Sequence, residues 1–155
     1  MKKSFFLLSF MVCGMLYAQT IPYNVNKKKF PLGDEFMKLL PIEVGKWSRF
    51  AFHDYLPDQE NGTVYYQNEN NKLFMLFGKA VSQDDMKSVW KKLYDNATDG
   101  KDKQVKQKEM VSPSLKYVLM QGNGVLFAWT RNLYYFCIST KEKSDLDDFM
   151  KSFPW

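Results

Sequence analysis

Alternating apolar and turn-forming stretches predict seven β-strands. Runs rich in aromatic and β-branched residues are separated by segments rich in Pro, Gly, Asn and Asp, a pattern typical of strands joined by turns. The predicted strands are residues 46–55, 63–67, 72–79, 104–112, 115–121, 124–130 and 133–140. Strands joined by tight turns must be antiparallel, because parallel pairs need long crossovers.

Three further segments have helical periodicity. Residues 82–96 carry apolar side chains at i, i+3, i+4 and i+7, behind a serine and an aspartate spaced for a capping box. Residues 144–153 repeat the stripe, with Ser144 as the predicted N-cap. Residues 34–40 predict a short helix that Pro41 ends. The order α-βββ-α-ββββ-α predicts an α+β fold, a single antiparallel sheet of six to seven strands with helices on both faces.

The stretch LFAWTRNLYYFCIST (126–140) predicts a hairpin with two apolar faces. If Arg131 and Asn132 form its turn, Trp129 pairs with Tyr134. A sheet that is open on one side alternates apolar and polar residues, so this hairpin requires helices over both faces, as in an α/β/α sandwich. The alternative is an open aromatic face that binds glycan or lipid, which is disfavoured because large exposed apolar patches are uncommon.

The N-terminus predicts export to the periplasm or the extracellular space. Two lysines, an apolar run and then Ala18 form the pattern of a bacterial secretory signal peptide over residues 1–18. The run is shorter than the roughly 20 residues that a membrane span needs, so no span is expected after cleavage. Lipoprotein processing at Cys13 is disfavoured because Val12 is not the small residue that such processing requires.

The rest of the chain predicts an arm followed by one domain. Residues 19–32 contain two prolines and three consecutive lysines, which predicts an exposed N-terminal arm. Residues 33–155 suit a single domain. The 155-residue chain has a net charge of +5 with both signs interspersed, which is typical of a solvated surface and disfavours nucleic acid as a partner. After signal cleavage Cys137 is the one remaining cysteine, so an intramolecular disulfide is excluded.

Motifs for catalysis, metal binding and cofactor binding are absent from the sequence. There is no G-x-S-x-G, phosphate-binding loop or G-x-G-x-x-G, and no close set of Cys, His and acidic residues that would hold a metal. No catalytic residue, metal or cofactor is therefore predicted. Cys137 as a nucleophile would need His53, the single histidine. Its apolar neighbours predict an inert, buried thiol instead.

The two arginines give the one candidate binding pattern. Each follows a tryptophan by two residues, in Trp47-Ser48-Arg49 and Trp129-Thr130-Arg131. Because i and i+2 share a face of a strand, each arginine could stack on its tryptophan or hold an anion beside it. Pairing with surface acids is the alternative. The candidate ligand-binding residues are Trp47, Arg49, His53, Trp129 and Arg131.

The segments FAWTRNLYYFCIST…LDDFMKSFPW and LLPIEVGKW (39–47) resemble small exported bacterial domains of unknown function. The predicted topology is similar to the PsbP-like α/β/α sandwich. The resemblance carries over no catalytic residue, because those domains offer no agreed site. The expected function is that of an exported, non-enzymatic binding or accessory domain for a small ligand or an envelope protein. A small hydrolase or transferase with a site near His53 and Arg49 is the alternative.

Overall fold

A single antiparallel sheet and two helices make up the described part of the chain. The structure is a computed structural model that describes residues 23, 25, 40–56, 61–98, 104–112 and 115–154. The strands are β1 (Glu43–Val44), β2 (Trp47–Leu56), β3 (Asn61–Asn68), β4 (Asn71–Lys79), β5 (Gln104–Ser112), β6 (Leu115–Gly122), β7 (Gly124–Arg131) and β8 (Tyr134–Thr140). The helices are α1 (Gln83–Thr98) and α2 (Lys143–Ser152).

The strand order in the sheet is β1-β2-β3-β4-β8-β7-β6-β5. Two meanders, β1–β4 and β5–β8, therefore meet where β4 pairs with β8. The prediction of an α+β fold with one antiparallel sheet is confirmed. The seven longer strands correspond to the seven predicted ones, and β1, which has two residues, was not predicted.

One face of the sheet, here called the α2 face, holds the larger core. Its buried side chains come from strands and from α2, and many are aromatic. The ring of Trp129 stacks on Phe136 with centroids 4.9 Å apart, and Phe153 meets Trp129 edge-on at 5.9 Å. One helical turn before Phe153, the ring of Phe149 lies 4.9 Å from that of Tyr66. Burial of these large side chains is the main stabilising term on this face.

The opposite face, called the α1 face, has a smaller core under α1. Its buried members are Val118, Met120, Leu126, Ala128 and Cys137, with Leu76, Trp90, Leu93 and Tyr94 packed against them. The predicted capping box begins this helix: the main-chain N–H of Asp85 donates to Ser82 Oγ (3.1 Å), and the N–H of Val81 donates to Asp85 Oδ2 (3.0 Å). Each side chain satisfies a main-chain donor at the helix start that no intrahelical bond can reach.

The β7–β8 hairpin differs from its prediction in register but not in its faces. Arg131 pairs with Tyr134 and Trp129 with Phe136, so the turn is Asn132-Leu133 and the predicted Arg131-Asn132 turn is wrong. Asn132 adopts a φ of 56°, a conformation that asparagine tolerates better than most residues. The pairing is displaced by two residues, an even number, and every side chain keeps its predicted face. Both faces of the hairpin are largely buried, as expected.

The N-cap of α2 lies two residues earlier than predicted. Its N-cap is Glu142, which makes no capping hydrogen bond through its side chain, so the prediction of Ser144 as the cap is wrong. An ion pair between Lys143 and Asp147, four residues apart, spans the first turns of the helix instead. Such an i, i+4 pair stabilises an exposed helix face by a few tenths of a kcal/mol.

The structure describes two positions of the predicted arm over residues 19–32, and both contact the core of the α2 face. Val25 is fully buried in the core of the α2 face. The ring of Tyr23 packs edge-on against Phe127, with centroids 4.8 Å apart, and its hydroxyl donates to Asp147 Oδ1 at 2.6 Å. An apolar side chain and a tyrosine in this segment gain more by covering the sheet than by facing water.

Two other predicted elements lie outside the described residues. They are the signal peptide at 1–18 and the helix at 34–40, of which the structure describes only Leu40, a buried member of the α2-face core. Among the helices that the structure does describe, none has the length and apolar character needed to cross a membrane.

Candidate functional site

Trp47 is a structural anchor between the sheet and α2. Its side chain is fully buried, and its Nε1–H donates to Asp148 Oδ2 at 2.8 Å. The same carboxylate oxygen lies 3.5 Å from Lys46 Nζ. The indole also meets the ring of Phe149 edge-on at 6.1 Å. These contacts occupy the polar atom that a ligand at Trp47 would need.

Arg49 is engaged by the protein itself. Its Nη1–H donates to the main-chain oxygen of Leu40 at 2.7 Å, and its Cζ lies 4.5 Å from the ring centroid of Phe52. A β-bulge at Phe50, between the pairs Arg49–Tyr66 and Ala51–Tyr65, places Arg49 and Phe52 on one face. Strict alternation would have put them on opposite faces, so the bulge is what brings the Arg49 guanidinium over the ring of Phe52.

Tyr66 pairs with Arg49 across the β2–β3 ladder and, like Arg49, holds the segment that precedes β1. Its hydroxyl donates to the main-chain oxygen of Pro41 at 2.8 Å. Burial raises the pKa of this phenol well above its usual value, and the nearby charge of Arg49 opposes the increase. The neutral hydroxyl and the guanidinium thus fix two consecutive carbonyls before β1, which is a structural role.

The second tryptophan–arginine pair lies in a different environment. Trp129 is fully buried and stacked between Phe127, at 5.1 Å, and Phe136, so rings occupy the faces where Arg131 was expected. Its Nε1 makes no hydrogen bond to any atom in the described ranges. Arg131 is only 9% exposed, and burial lowers the pKa of its guanidinium.

The two pairs do not form a single site. Arg49 is on β2 and Arg131 is on β7, four positions apart in the sheet. Their rungs are also offset by about six residues along the strands. At about 4.8 Å per strand and 3.3 Å per residue, the two main-chain positions are on the order of 25 Å apart. The structure therefore brings Trp47 and Arg49 together on β2 and does not bring Arg131 near them.

A Cys–His pair is excluded by the sheet register. His53 pairs with Thr63, Thr63 with Leu76, and Leu76 with Cys137. Three strand spacings separate the ends of this rung, roughly 14 Å, whereas proton transfer needs about 3 Å. The side chain of His53 lies outside the described part, and Cys137 is buried in the α1-face core. No group of three potential metal ligands occurs within the described residues.

A different feature, here called the aromatic surface, consists of Phe50, Tyr65 and Phe74 on the α1 face. The ring centroids of Phe50 and Tyr65 are 5.8 Å apart, and those of Tyr65 and Phe74 are 5.4 Å apart. Phe50 is 43% exposed, and the other two rings are half-buried. The three side chains come from β2, β3 and β4, so they form one continuous patch across neighbouring strands.

The aromatic surface lies on the half of the sheet that α1 leaves uncovered. Helix α1 packs over Cys137 and its neighbours on β6–β8 and reaches β4 at Leu76. An eight-stranded sheet is about 34 Å wide, whereas a helix with its side chains is about 10 Å wide. One helix therefore cannot cover this face. The predicted number of strands already implies that one helix is too narrow to cover the sheet. The three rings, however, become neighbours only through the pairing of β2, β3 and β4.

A lysine borders the aromatic surface. Lys72 lies two residues before Phe74 on β4 and therefore on the same face. Its Nζ is 5.6 Å from the ring centroid of Phe50. Across the parts of the chain that are described, no carboxylate lies within ion-pair distance of Lys72, whereas Lys87 and Lys91 each pair with an aspartate. The surface thus combines three aromatic rings with a positive charge that no carboxylate in the described ranges pairs with.

Comparisons with known proteins identify a similar fold and no family. No protein-family model matches the chain, and no curated protein matches it. A crystal structure of a GTP-binding regulator from Thermotoga maritima is similar, with a TM-score of 0.51 and 18% sequence identity over 78% of this chain and 83% of that one. At this identity the likeness shows that the two chains share a fold, and nothing about activity follows from it.

Proposed function

We propose that the chain is an exported, non-enzymatic domain that binds an envelope protein through the aromatic surface. The observation that supports this proposal is the contiguous patch of Phe50, Tyr65 and Phe74 on the half of the α1 face that helix α1 does not reach. Exposed apolar patches of this kind mark interaction sites in soluble proteins, and aromatic residues are enriched at the centres of interfaces.

The orientation of the rings favours a protein over a small planar ligand. Phe50 is tilted by 49° from Tyr65, and Tyr65 by 67° from Phe74. A flat ligand or a sugar ring could stack on one of these rings but not on two together. Rings at steep angles to one another offer both faces and edges to a partner, which suits an aliphatic or aromatic side chain.

The alternative of a small hydrolase or transferase near His53 and Arg49 has no supporting observation. Arg49 donates to a main-chain carbonyl and covers Phe52, and Cys137 is three strands from His53. GTP binding is not proposed either, although the similar structure is described as a GTP-binding regulator. The sequence has no G-x-x-x-x-G-K-[ST] loop to hold phosphates.

Export and the complete three-layer fold are part of the same proposal. The lysines, apolar run and Ala18 at the N-terminus support secretion with cleavage after residue 18. We infer that the fold is an α/β/α sandwich, because α2 packs on one face of the sheet and α1 on the other.

Export is tested by expressing the full chain with a C-terminal tag in a Gram-negative host. We expect the tagged protein in the periplasmic fraction, with a mass that corresponds to an N-terminus at Gln19. An uncleaved protein in the cytosolic fraction would contradict the proposal of export.

Binding is tested by placing a photo-crosslinking amino acid at Phe50 in one variant and at Val81 in another. Val81 is 91% exposed and lies outside the aromatic surface, so it is a matched control. We expect a discrete cross-linked product in cells from position 50 only, and its loss when Tyr65→Ser is added. Equal products from both positions, or none from position 50, would refute the proposed use of this surface.

A further inference from the structure

Lys72 distinguishes the aromatic surface from a purely apolar patch. Lys72 pairs with Gln67 across the β3–β4 ladder, two rungs beyond the pair of Tyr65 and Phe74 and on the same face. Its ammonium group approaches the ring of Phe50. The cation therefore stands at the border of the three rings, within reach of any group that contacts them.

The charge of Lys72 is not neutralised by the described residues. Four other lysines have an aspartate partner within 4.0 Å: Lys46, Lys87, Lys91 and Lys143. Lys72 has the Phe50 ring and no carboxylate in the described ranges. A positive charge next to an apolar surface attracts a negative group more strongly than one surrounded by water, because the local dielectric constant is lower.

Resting on the proposed function, we infer that the partner is a polypeptide segment that presents an apolar side chain next to an acidic residue. The apolar side chain packs among Phe50, Tyr65 and Phe74, and the carboxylate pairs with Lys72. Apolar contact supplies most of the affinity, and the ion pair at the border supplies specificity and orientation.

An anionic membrane surface offers similar chemistry but fits the geometry less well. Stable membrane attachment needs either a cluster of basic residues or a deeply inserted apolar segment. Within the described residues the aromatic surface is bordered by one lysine, and two of its three rings are half-buried in the sheet. A membrane is therefore an outcome that the experiment must distinguish from a polypeptide.

The test uses a phage-displayed random peptide library selected on the purified mature protein. We expect enriched peptides that combine an aromatic or large aliphatic residue with an adjacent Asp or Glu. One such peptide is then measured against variants by fluorescence polarisation. Lys72→Glu should weaken binding by roughly tenfold or more, and replacing the peptide's acid with lysine should restore it. Phe50→Ser should abolish binding.

Matched controls separate the surface from general effects on charge or folding. Lys92→Glu makes the same charge change on the exposed side of α1, and Val81→Ser removes an exposed apolar side chain elsewhere. Both should bind the peptide as the parent protein does. Circular dichroism confirms that each variant is folded before its affinity is compared.

The outcomes distinguish this inference from the proposed function. One outcome is that the enriched peptides lack acidic residues, bind Lys72→Glu as tightly as the parent protein, and lose binding to Phe50→Ser. This would refute the inference and leave the aromatic surface as a binding site. Peptides insensitive to Phe50→Ser would refute both. A third outcome is that the protein sediments with phosphatidylglycerol vesicles, that Lys72→Glu abolishes this sedimentation, and that no acidic peptides are enriched. This outcome would overturn the polypeptide assignment in favour of a membrane.

Discussion

Removing the carboxylate that accepts from Trp47 should destabilise the protein measurably. The perturbation is Asp148→Ala, which leaves a fully buried indole N–H without its acceptor and separates α2 from β2 at one point. The parallel change Trp47→Phe removes the donor and keeps most of the ring contact with Phe149. The two changes together define a double-mutant cycle that isolates this hydrogen bond.

The magnitude follows from the exposure of the pair. A hydrogen bond to a charged acceptor contributes about 1.5–3 kcal/mol, and the lower end applies here because the Asp148 side chain is 40% exposed and can be solvated. The ion pair between Asp148 and Lys46 is at the surface and adds at most about 0.5 kcal/mol. We expect about 1.5–2 kcal/mol for Asp148→Ala, with a coupling energy to Trp47→Phe of about 1 kcal/mol.

Equilibrium urea unfolding followed by far-ultraviolet circular dichroism measures these free energies. Asp84→Ala is the matched control, because Asp84 is 88% exposed and pairs with Lys87 on the surface of α1. We expect that variant to lose much less stability than Asp148→Ala, because an ion pair in full contact with water contributes little. A coupling energy near zero, or equal losses for Asp148→Ala and Asp84→Ala, would refute the assignment of Trp47 as an anchor.

Four other substitutions test individual features of the fold. Gly78→Ala would place a Cβ 2.2 Å from the hydroxyl oxygen of Tyr135. It should therefore lower the free energy of unfolding, measured by thermal unfolding, by about 2 kcal/mol, and by less when Tyr135→Ala is also present. Thr140→Val removes a buried hydroxyl that has no hydrogen-bond partner in the described ranges and should stabilise the protein by about 1 kcal/mol; a loss of stability would contradict this. Burial raises the pKa of Asp147, but hydrogen bonds from a lysine and a tyrosine outweigh it and hold that pKa below the usual value. The resulting stabilisation is present above the unfolded pKa of about 4 and is lost as the pH falls through the folded value, so Asp147→Asn should flatten the acid limb of a stability–pH curve. Cys137→Ser should keep the cross-link at Phe50 and lose only about 1–3 kcal/mol of stability, whereas loss of the cross-link in a folded variant would contradict a purely structural role.

Local patterns were sufficient for the strands but not for their register. The apolar runs and turn residues that predict the seven longer strands are properties of neighbouring residues. The hairpin turn was displaced because Arg131-Asn132 and Asn132-Leu133 both place asparagine in the turn, and local sequence does not choose between them. Packing does, since the observed register stacks Trp129 directly on Phe136.

The candidate site depended on contacts that sequence patterns do not contain. The partner of Trp47 is Asp148, 101 positions further along the chain. The partner of Arg49 is decided by a bulge at Phe50 that forms only when β2 pairs with β3. The rings of the aromatic surface belong to three strands, so no single segment of sequence displays them together. The sequence therefore identifies the residues that are candidates, but their contacts are decided by the assembled sheet.

The junction between β4 and β8 constrains the order in which the molecule can fold. Leu73 pairs with Thr140 and Lys79 with Tyr134, whereas the other ladders of the described sheet join strands that are consecutive in the chain. Each meander can form from local contacts, but closing the junction has a larger loop-entropy cost and is expected to be the slow step. Until β8 has been synthesised, β4 offers an apolar, unpaired edge to other chains. A nascent or truncated chain that lacks Tyr134–Thr140 would therefore depend on chaperones to escape aggregation.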